Sequence, residues 1–290
     1  MPRASATPAT RLFSTEDTPK PQFSGENAKW YKLISENHRH PNGPWVTMVD
    51  KVHIYANEHG SKLNILDLAT GPGEPAETIA RQLPECTIVA TDLSPDQVAL
   101  ANEQTATLAH MTAVVADMQD LSDFDTNSFD LVTCCYGFMF PEDISRAIAE
   151  SYRVLKPGGQ LIAATWNKLS IMMKIRAIVT EIIGQEPPPP PINPLSLAEP
   201  GLFENLLKDA GYDNIQCKNY EYPFDLTSDP EAQFQSTIIP IREKLDEWDA
   251  WEQARKAFEN VKHDFGSYHD NGHWIIPGNE YKLTVATEPL

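Results

Sequence analysis

The chain has 290 residues, of which 41% are apolar, and it sets 23 Lys and Arg against 41 Asp and Glu for a formal charge of -18. That length and apolar share can bury a sizeable core, as one large domain or one domain with a lid. The negative field repels phosphate backbones and anionic membrane surfaces, which argues against a nucleic-acid partner, and the longest apolar run, Leu131 to Phe140, is too short for the roughly 20 residues of a bilayer span.

Residues 1–22 are rich in Ser, Thr, Pro and Ala and read as a disordered leader. Two early arginines and the lack of early acids keep an organelle transit peptide as the alternative to a cytoplasmic protein. Cys86, Cys134, Cys135 and Cys217 show no C-x-x-C spacing, which fits a reduced intracellular compartment. Residues 23–60 read as an N-terminal helical cap. From Ser61 strands and helices alternate. Leu63 to Leu68 is a predicted strand and Pro75 to Leu83 its helix. Thr87 to Thr91 is the next strand, followed by a helix opened by Ser94-Pro95 and running to about His110. Thr112 to Ala116 and Phe129 to Cys135 are further strands. A helix from about Ile144 to Leu155 stops at Lys156-Pro157-Gly158-Gly159, and Gln160 to Trp166 is a fifth strand. This alternation predicts an α/β fold: a Rossmann-like, seven-stranded, mostly parallel sheet with helices on both faces and a helical lid formed by insertions.

The core is expected over 61–168 and a helical, proline-rich lid insertion over 169–199, with a helix from about Leu169 to Ile183 and the run Pro187 to Pro191. Residues 200–290 complete the core and insert further lid helices. Expected there are a helix at Leu202 to Ala210, a strand near Asn214 to Tyr222, helices at Glu231 to Leu245 and Trp248 to Phe265, and a last strand near Glu280 to Glu288.

Ligands of such sheets bind at the carboxyl edge, where the strand order reverses. Asp67 ends the first strand, ahead of the turn Leu68-Ala69-Thr70-Gly71-Pro72-Gly73-Glu74. Asp92 and Leu93 end the second strand, where a carboxylate can accept both hydroxyls of a ribose. Asp117-Met118 ends the third, pairing an acceptor for an amine with an apolar side chain that can pack on a base. Gly71, Gly73 and Ala76 also satisfy the dinucleotide pattern G-x-G-x-x-G/A. No Lys or Arg stands between Asp67 and Ala80, however, so the field of the turn favours a cationic ligand over a pyrophosphate.

These motifs resemble, in order, those of the class I S-adenosylmethionine-dependent methyltransferases: Leu66 to Gly73, Thr91-Asp92-Leu93-Ser94, Ala116-Asp117-Met118, Phe129 to Gly137 and Arg153 to Gly159. The wording is most similar to the ubiquinone/menaquinone-type small-molecule enzymes, down to Phe140-Pro141-Glu142, although the chain is a residue shorter between Gly137 and Phe140. A fainter similarity joins the layout after Trp166 to fungal thiol methyltransferases. The resemblance implies S-adenosyl-L-methionine as cofactor, with S-adenosyl-L-homocysteine as product. By resemblance, Gly71 and Gly73 admit the methionine part, Asp67 and Ala69 lie at its ammonium, and Asp92 with Leu93 holds the ribose. Asp117 and Met118 would contact adenine, and Cys134, Cys135 and Tyr136 would line the methionyl and sulfonium region.

A sulfonium methyl is already activated, so transfer needs chiefly an aligned nucleophile and a water-poor pocket. A general base is needed only when the acceptor must lose a proton, and no His, Asp or Glu stands out as one in the sequence. The catalytic residue is therefore unassigned; Tyr136, Trp30 and Tyr31 are candidates for positioning. Acceptor contacts are expected from Trp30, Tyr31, Trp45, Phe138 and Trp166, with Phe23 and the histidines His38 and His273 as further candidates. Packing of lid helices on the core is the simpler account of any single aromatic. His38 with His40, and His263 with His269 and His273, lack metal-site spacing, and no metal is expected. The expected partner is a small-molecule methyl acceptor, with slight preference for a thiol or thioether sulfur over oxygen, nitrogen or carbon, in a monomer or homodimer. The competing readings are an NAD-dependent oxidoreductase, favoured by the glycine pattern and by an acid 21 residues after Gly71, and a methyltransferase-like binding protein without acceptor chemistry.

Overall fold

The computed structural model of the protein describes residues 26–187 and 193–290. The leader, Phe23 and most of the proline run lie outside them. The chain divides into two compact units. The larger comprises His38–Lys168, Pro194–Tyr222 and Glu280–Leu290; the second comprises the segments up to Asn37, from Leu169 to Asn193 and from Pro223 to Asn279.

The core strands are β1 (Asn64–Leu68), β2 (Thr87–Asp92), β3 (Met111–Val115), β4 (Phe129–Cys135) and β5 (Leu155–Lys168), followed by β6 (Asp213–Leu226), β7 (Tyr268–Asp270) and β8 (His273–Thr287). Among the described residues the sheet has eight strands in the order β3-β2-β1-β4-β5-β8-β6, with β7 forming a hairpin on β8. β1 to β5 pair in parallel and β8 runs antiparallel to β5. Near-continuous burial of β1 and β4 reflects coverage of both faces. The helices α1 (Glu26–Ser35), α2 (Pro44–His59), α3 (Ala76–Gln82), α4 (Pro95–Gln104) and α5 (Ile144–Val154) precede β5. Of these, α2 to α5 pack on the sheet. The strand order reverses between β1 and β4, and the register Asp67↔Thr133, Leu68↔Cys134 sets the ends of these strands side by side.

Several elements end elsewhere than the pattern predicts. Helix α4 stops at Gln104, six residues before His110, where Thr105 leaves helical dihedrals (φ -100°, ψ 10°) and the chain turns through a Leu108 N–H bond to the Thr105 carbonyl. The segment Lys156-Pro157-Gly158-Gly159 lies inside β5 rather than in front of it. The helix expected over Glu231 to Leu245 is two, α8 (Pro230–Thr237) and α9 (Arg242–Trp248), separated by a 3-10 turn at Ile239–Ile241. Pro240 has no N–H to continue the first of them. Helix α10 (Trp251–Val261) starts three residues later than expected, after Asp249 takes a left-handed conformation, φ 52°. In the larger unit α7 (Leu202–Asp209) ends beside Gly211, as predicted.

In the second unit, α6 (Ser170–Ile183) packs on α10. Its inward face is Ile171, Lys174, Ile175 and Ile178, a helical spacing that carries one charge. Lys174 is fully buried, and its ammonium donates to the carbonyls of Val261 (3.1 Å), Lys262 (2.8 Å) and Asp264 (2.7 Å) and to Ser267 Oγ (2.8 Å). These acceptors include the end of α10, so a lysine from one helix caps the negative end of another. Phe234, Phe258 and Trp274 pack edge to face beside it.

No helix among the described residues is long and apolar enough to cross a membrane.

Candidate functional site

The turns after β1 and β4 meet at the point of strand-order reversal. Asp67, at the end of β1, is 1% exposed. Its Oδ1 accepts from Thr133 Oγ1 at 2.5 Å, whereas Oδ2 is buried with no hydrogen bond of good geometry, the equally buried Thr70 hydroxyl beside the carboxyl acting only to lower its pKa. Burial pushes the Asp67 carboxyl up to about 7, with the negative neighbours Glu74 and Asp92 acting in the same direction. An acidic side chain held half-satisfied in the interior is a cost that a cationic partner at Oδ2 would remove.

The turn itself is shaped by two glycines with positive φ, Gly71 at 56° and Gly73 at 114°. A Cβ on Gly71 would meet nothing within 4 Å, so the backbone there faces open space. The Gly71 N–H donates to Asp92 Oδ2 and the Ser94 N–H to Oδ1, both at 2.9 Å, fixing this carboxylate at the end of β2. Burial raises its pKa. Beside it Leu93 is 63% exposed, an apolar side chain standing at the strand edge. Asp117, after β3, accepts from the backbone and side chain of Gln119.

Glu74 does not stand uncompensated, as the sequence of the turn implied. Arg39, 35 residues upstream, donates to its Oε1 at 2.6 Å, and Thr78 donates to it through backbone and hydroxyl. The guanidinium also lies 4.8 Å over the Trp45 ring. With Glu74 paired, Asp67 is the acid of the turn whose charge is left over.

Gly137 joins three of the motifs. A Cβ at this position would come within 2.6 Å of Cys134 Sγ, 2.7 Å of the Ala69 methyl and 3.1 Å of Met118 Cε. Gly137→Ala is therefore expected to force the three turns apart. We expect a stability loss of about 1–3 kcal/mol from overpacking in thermal unfolding, and loss of ligand affinity in calorimetry. Unchanged stability would show that these turns give way freely.

Among the remaining candidates, Cys134 and Cys135 are thiols that burial pushes up, away from reactivity. Tyr136 adopts φ 60° and stacks on Trp166 at 3.9 Å between ring centroids. Trp45 joins that cluster through the ring of His38, at 5.4 Å. Phe138 is fully buried against Phe203. Trp30 and Tyr31 lie on α1, in the second unit; His273, at the start of β8 and in the same unit, is half exposed and bonds to Asp225. Trp45, Tyr136 and Trp166 are thus brought together, whereas Phe138 packs on Phe203.

Sequence reasoning did not find Arg39, Tyr222 and Tyr281. Tyr222 bonds to Tyr136 and His38, and Tyr281 bonds to Thr47 and the Asn42 carbonyl. The one available signal was the spacing Tyr220-x-Tyr222 on a strand, which puts both rings on one face. Among the described residues no group of three or more His, Cys, Asp or Glu is placed to hold a metal.

The methyltransferase domain family matches residues 66–163. A demethylmenaquinone methyltransferase of Thermus thermophilus is 37% identical over 99 residues, which is 34% of this chain and 44% of that protein. The ubiquinone/menaquinone biosynthesis C-methyltransferase of Rickettsia bellii is 27% identical over 178 residues, 54% of this chain and 71% of that one. The alignment thus spans less than half the length of the Thermus relative. The YcgJ protein of Bacillus subtilis, at 15% identity, superposes with a TM-score of 0.56 over 84% of this chain and 99% of its own, a likeness of fold. The motifs stand in order on a sheet that reverses between β1 and β4, residues 66–163 match the methyltransferase domain family, and this part of the chain is similar to the ubiquinone/menaquinone-type methyltransferases.

Proposed function

We propose that this protein binds S-adenosyl-L-methionine and transfers its methyl group to a small-molecule acceptor. The observation that carries the reading is the buried, unpartnered Oδ2 of Asp67 at the carboxyl edge of β1, which fits an ammonium group. The rest of the donor set agrees. Asp92 is held by two backbone N–H groups with lone pairs left for ribose hydroxyls. Asp117 and Met118 would form the base end, and the open turn at Gly71 and Gly73 would admit the methionine part. Ala69, Cys134, Cys135 and Tyr136 would border the methyl.

When bound, the cofactor supplies a methyl on a positively charged sulfur. The protein's part is to hold its charged and polar groups, exclude water and align the acceptor. Trp45 and Trp166 with Tyr136 offer an aromatic wall for that acceptor, and ring faces favour a cationic transition state.

The preference for sulfur draws on the lack of an evident base and on a faint resemblance; a buried imidazole, His38, bonded to Tyr222 supports readings in which the acceptor loses a proton. The named relatives include a C-methyltransferase of quinone biosynthesis. Acceptors at carbon, oxygen or nitrogen therefore weigh at least as much as sulfur.

The NAD reading is tested together with this one. Saturating S-adenosylhomocysteine is expected to raise the melting temperature by several degrees, and NADH to leave it unchanged. Stabilisation by NADH alone would overturn the proposal. If the cofactor product binds yet labelled S-adenosylmethionine gives no methylated product with any metabolite extract, a binding protein is the better description.

A further inference from the structure

The cluster around Tyr136 contains a hydrogen-bonded chain that the cofactor motifs do not require. Tyr136 Oη lies 3.1 Å from Tyr222 Oη, and Tyr222 Oη lies 2.8 Å from His38 Nδ1. All three side chains are buried. They come from distant parts of the larger unit: the 3-10 turn Glu36–Arg39, the loop after β4 and strand β6. Tyr136 also sits at positive φ, a conformation that costs a non-glycine residue free energy and gathers at functional sites. It occupies the end of β4, next to the strand-order reversal.

The His38 ring is enclosed by Tyr136 at 5.1 Å, Trp45 at 5.4 Å, and Trp166 and Tyr222 at 6.1 Å between centroids. Burial drives its pKa down to about 3, so the ring is neutral at ordinary pH. With the Nε2–H tautomer, Tyr222 donates to Nδ1 and Tyr136 to Tyr222, which leaves the Tyr136 oxygen lone pairs for an incoming donor.

We propose that Tyr136, Tyr222 and His38 form a relay that accepts the proton of the methyl acceptor. Tyr136 is the member that touches the acceptor, and Tyr222 and His38 are positioning residues behind it. The inference rests on the methyl-transfer reading. As the acceptor atom X bonds to the methyl carbon, the carbon–sulfur bond breaks and its electron pair stays on sulfur. The proton on X passes to Tyr136 Oη, the Tyr136 proton to Tyr222 Oη and the Tyr222 proton to Nδ1. The products are X–CH3, a neutral thioether and an imidazolium, so one positive charge enters the step and one leaves it. A weakly basic imidazole suffices, because X becomes strongly acidic as it takes on the methyl. The surrounding ring faces can hold the imidazolium by cation–π attraction until the proton leaves.

The test reads the chain without requiring turnover. In histidine labelled with nitrogen-15, His38 of the ligand-free protein is expected to show an unprotonated Nδ1; a protonated Nδ1 overturns the relay whatever binds. S-adenosylhomocysteine binding is then measured by itself, and its absence counts against the methyl-transfer reading. In the presence of this ligand, phenol and thiophenol are compared with their methylated forms, anisole and thioanisole. The proton-bearing member of each pair is expected to bind about tenfold more tightly, the worth of one hydrogen bond to Tyr136. Tyr222→Phe should bring that ratio near one while S-adenosylhomocysteine affinity stays close to the parent value. Equal affinities in the parent protein, no binding of any of the four probes, or a ratio unmoved in Tyr222→Phe would overturn the proposal.

Discussion

Asp67→Asn is expected to abolish tight binding of S-adenosylhomocysteine while making the ligand-free protein more stable at pH 7 and above. The asparagine oxygen can still accept from Thr133, but the buried charge that would meet the ligand's ammonium is gone. The pH dependence fixes the sign. In the folded protein the carboxyl titrates at about 7, against an ordinary value of 3.8. Between these values the folded state holds a proton that the unfolded chain has released, so this group's contribution to stability falls as pH rises. Above about 7 the folded protein carries an uncompensated buried carboxylate, which asparagine spares. Ligand binding runs in the opposite sense. Below about pH 7 Asp67 must lose its proton to pair with an ammonium, so affinity should fall about tenfold per pH unit on acidification. Calorimetry across this range, on the parent and on Asp67→Asn, checks both signs. A pH-independent affinity in the parent, or an unweakened variant, would show that Asp67 does not face the ligand's charge.

Lys174→Met should cost about 1–3 kcal/mol in the second unit, the desolvation penalty of buried acceptors left without their donor. Methionine fills most of the volume but donates nothing, leaving the carbonyls of Val261, Lys262 and Asp264 and the Ser267 hydroxyl without the ammonium they share. The loss falls on the end of α10, where unpaired carbonyls already carry the negative end of the helix dipole. Denaturant unfolding gives the size of the effect, and amide exchange at Trp251–Val261 its place. A loss below about 1 kcal/mol, with α10 amides protected as before, would show that water reaches the freed carbonyls and replaces the lysine.

The core was legible because its signals are local. Strand alternation, the Ser94-Pro95 helix start and the Gly-Pro-Gly turn each depend on neighbouring residues, and β1 to β5 fall within a few residues of where the pattern puts them. The boundaries that moved did so through particular bonds. The chain turns at Thr105 to end α4, and Pro240 broke one expected helix into two. The charge of the turn was misjudged for another reason: Arg39 closes on Glu74 from 35 residues away, a distance that no local reading spans.

By itself the sequence determined the doubly wound core, the acids at the ends of the first three strands and the small-residue turn, because backbone propensity and strand-end position need only the local chain. Tertiary structure decided which of those charges is left unpaired, that Ala69, Met118 and Cys134 converge on Gly137, and that His38, Tyr136 and Tyr222 bond in series. These are properties of side chains brought together across as many as 184 residues. Burial and pairing come from the folded packing, and they set both the charge of Asp67 and the neutrality of His38.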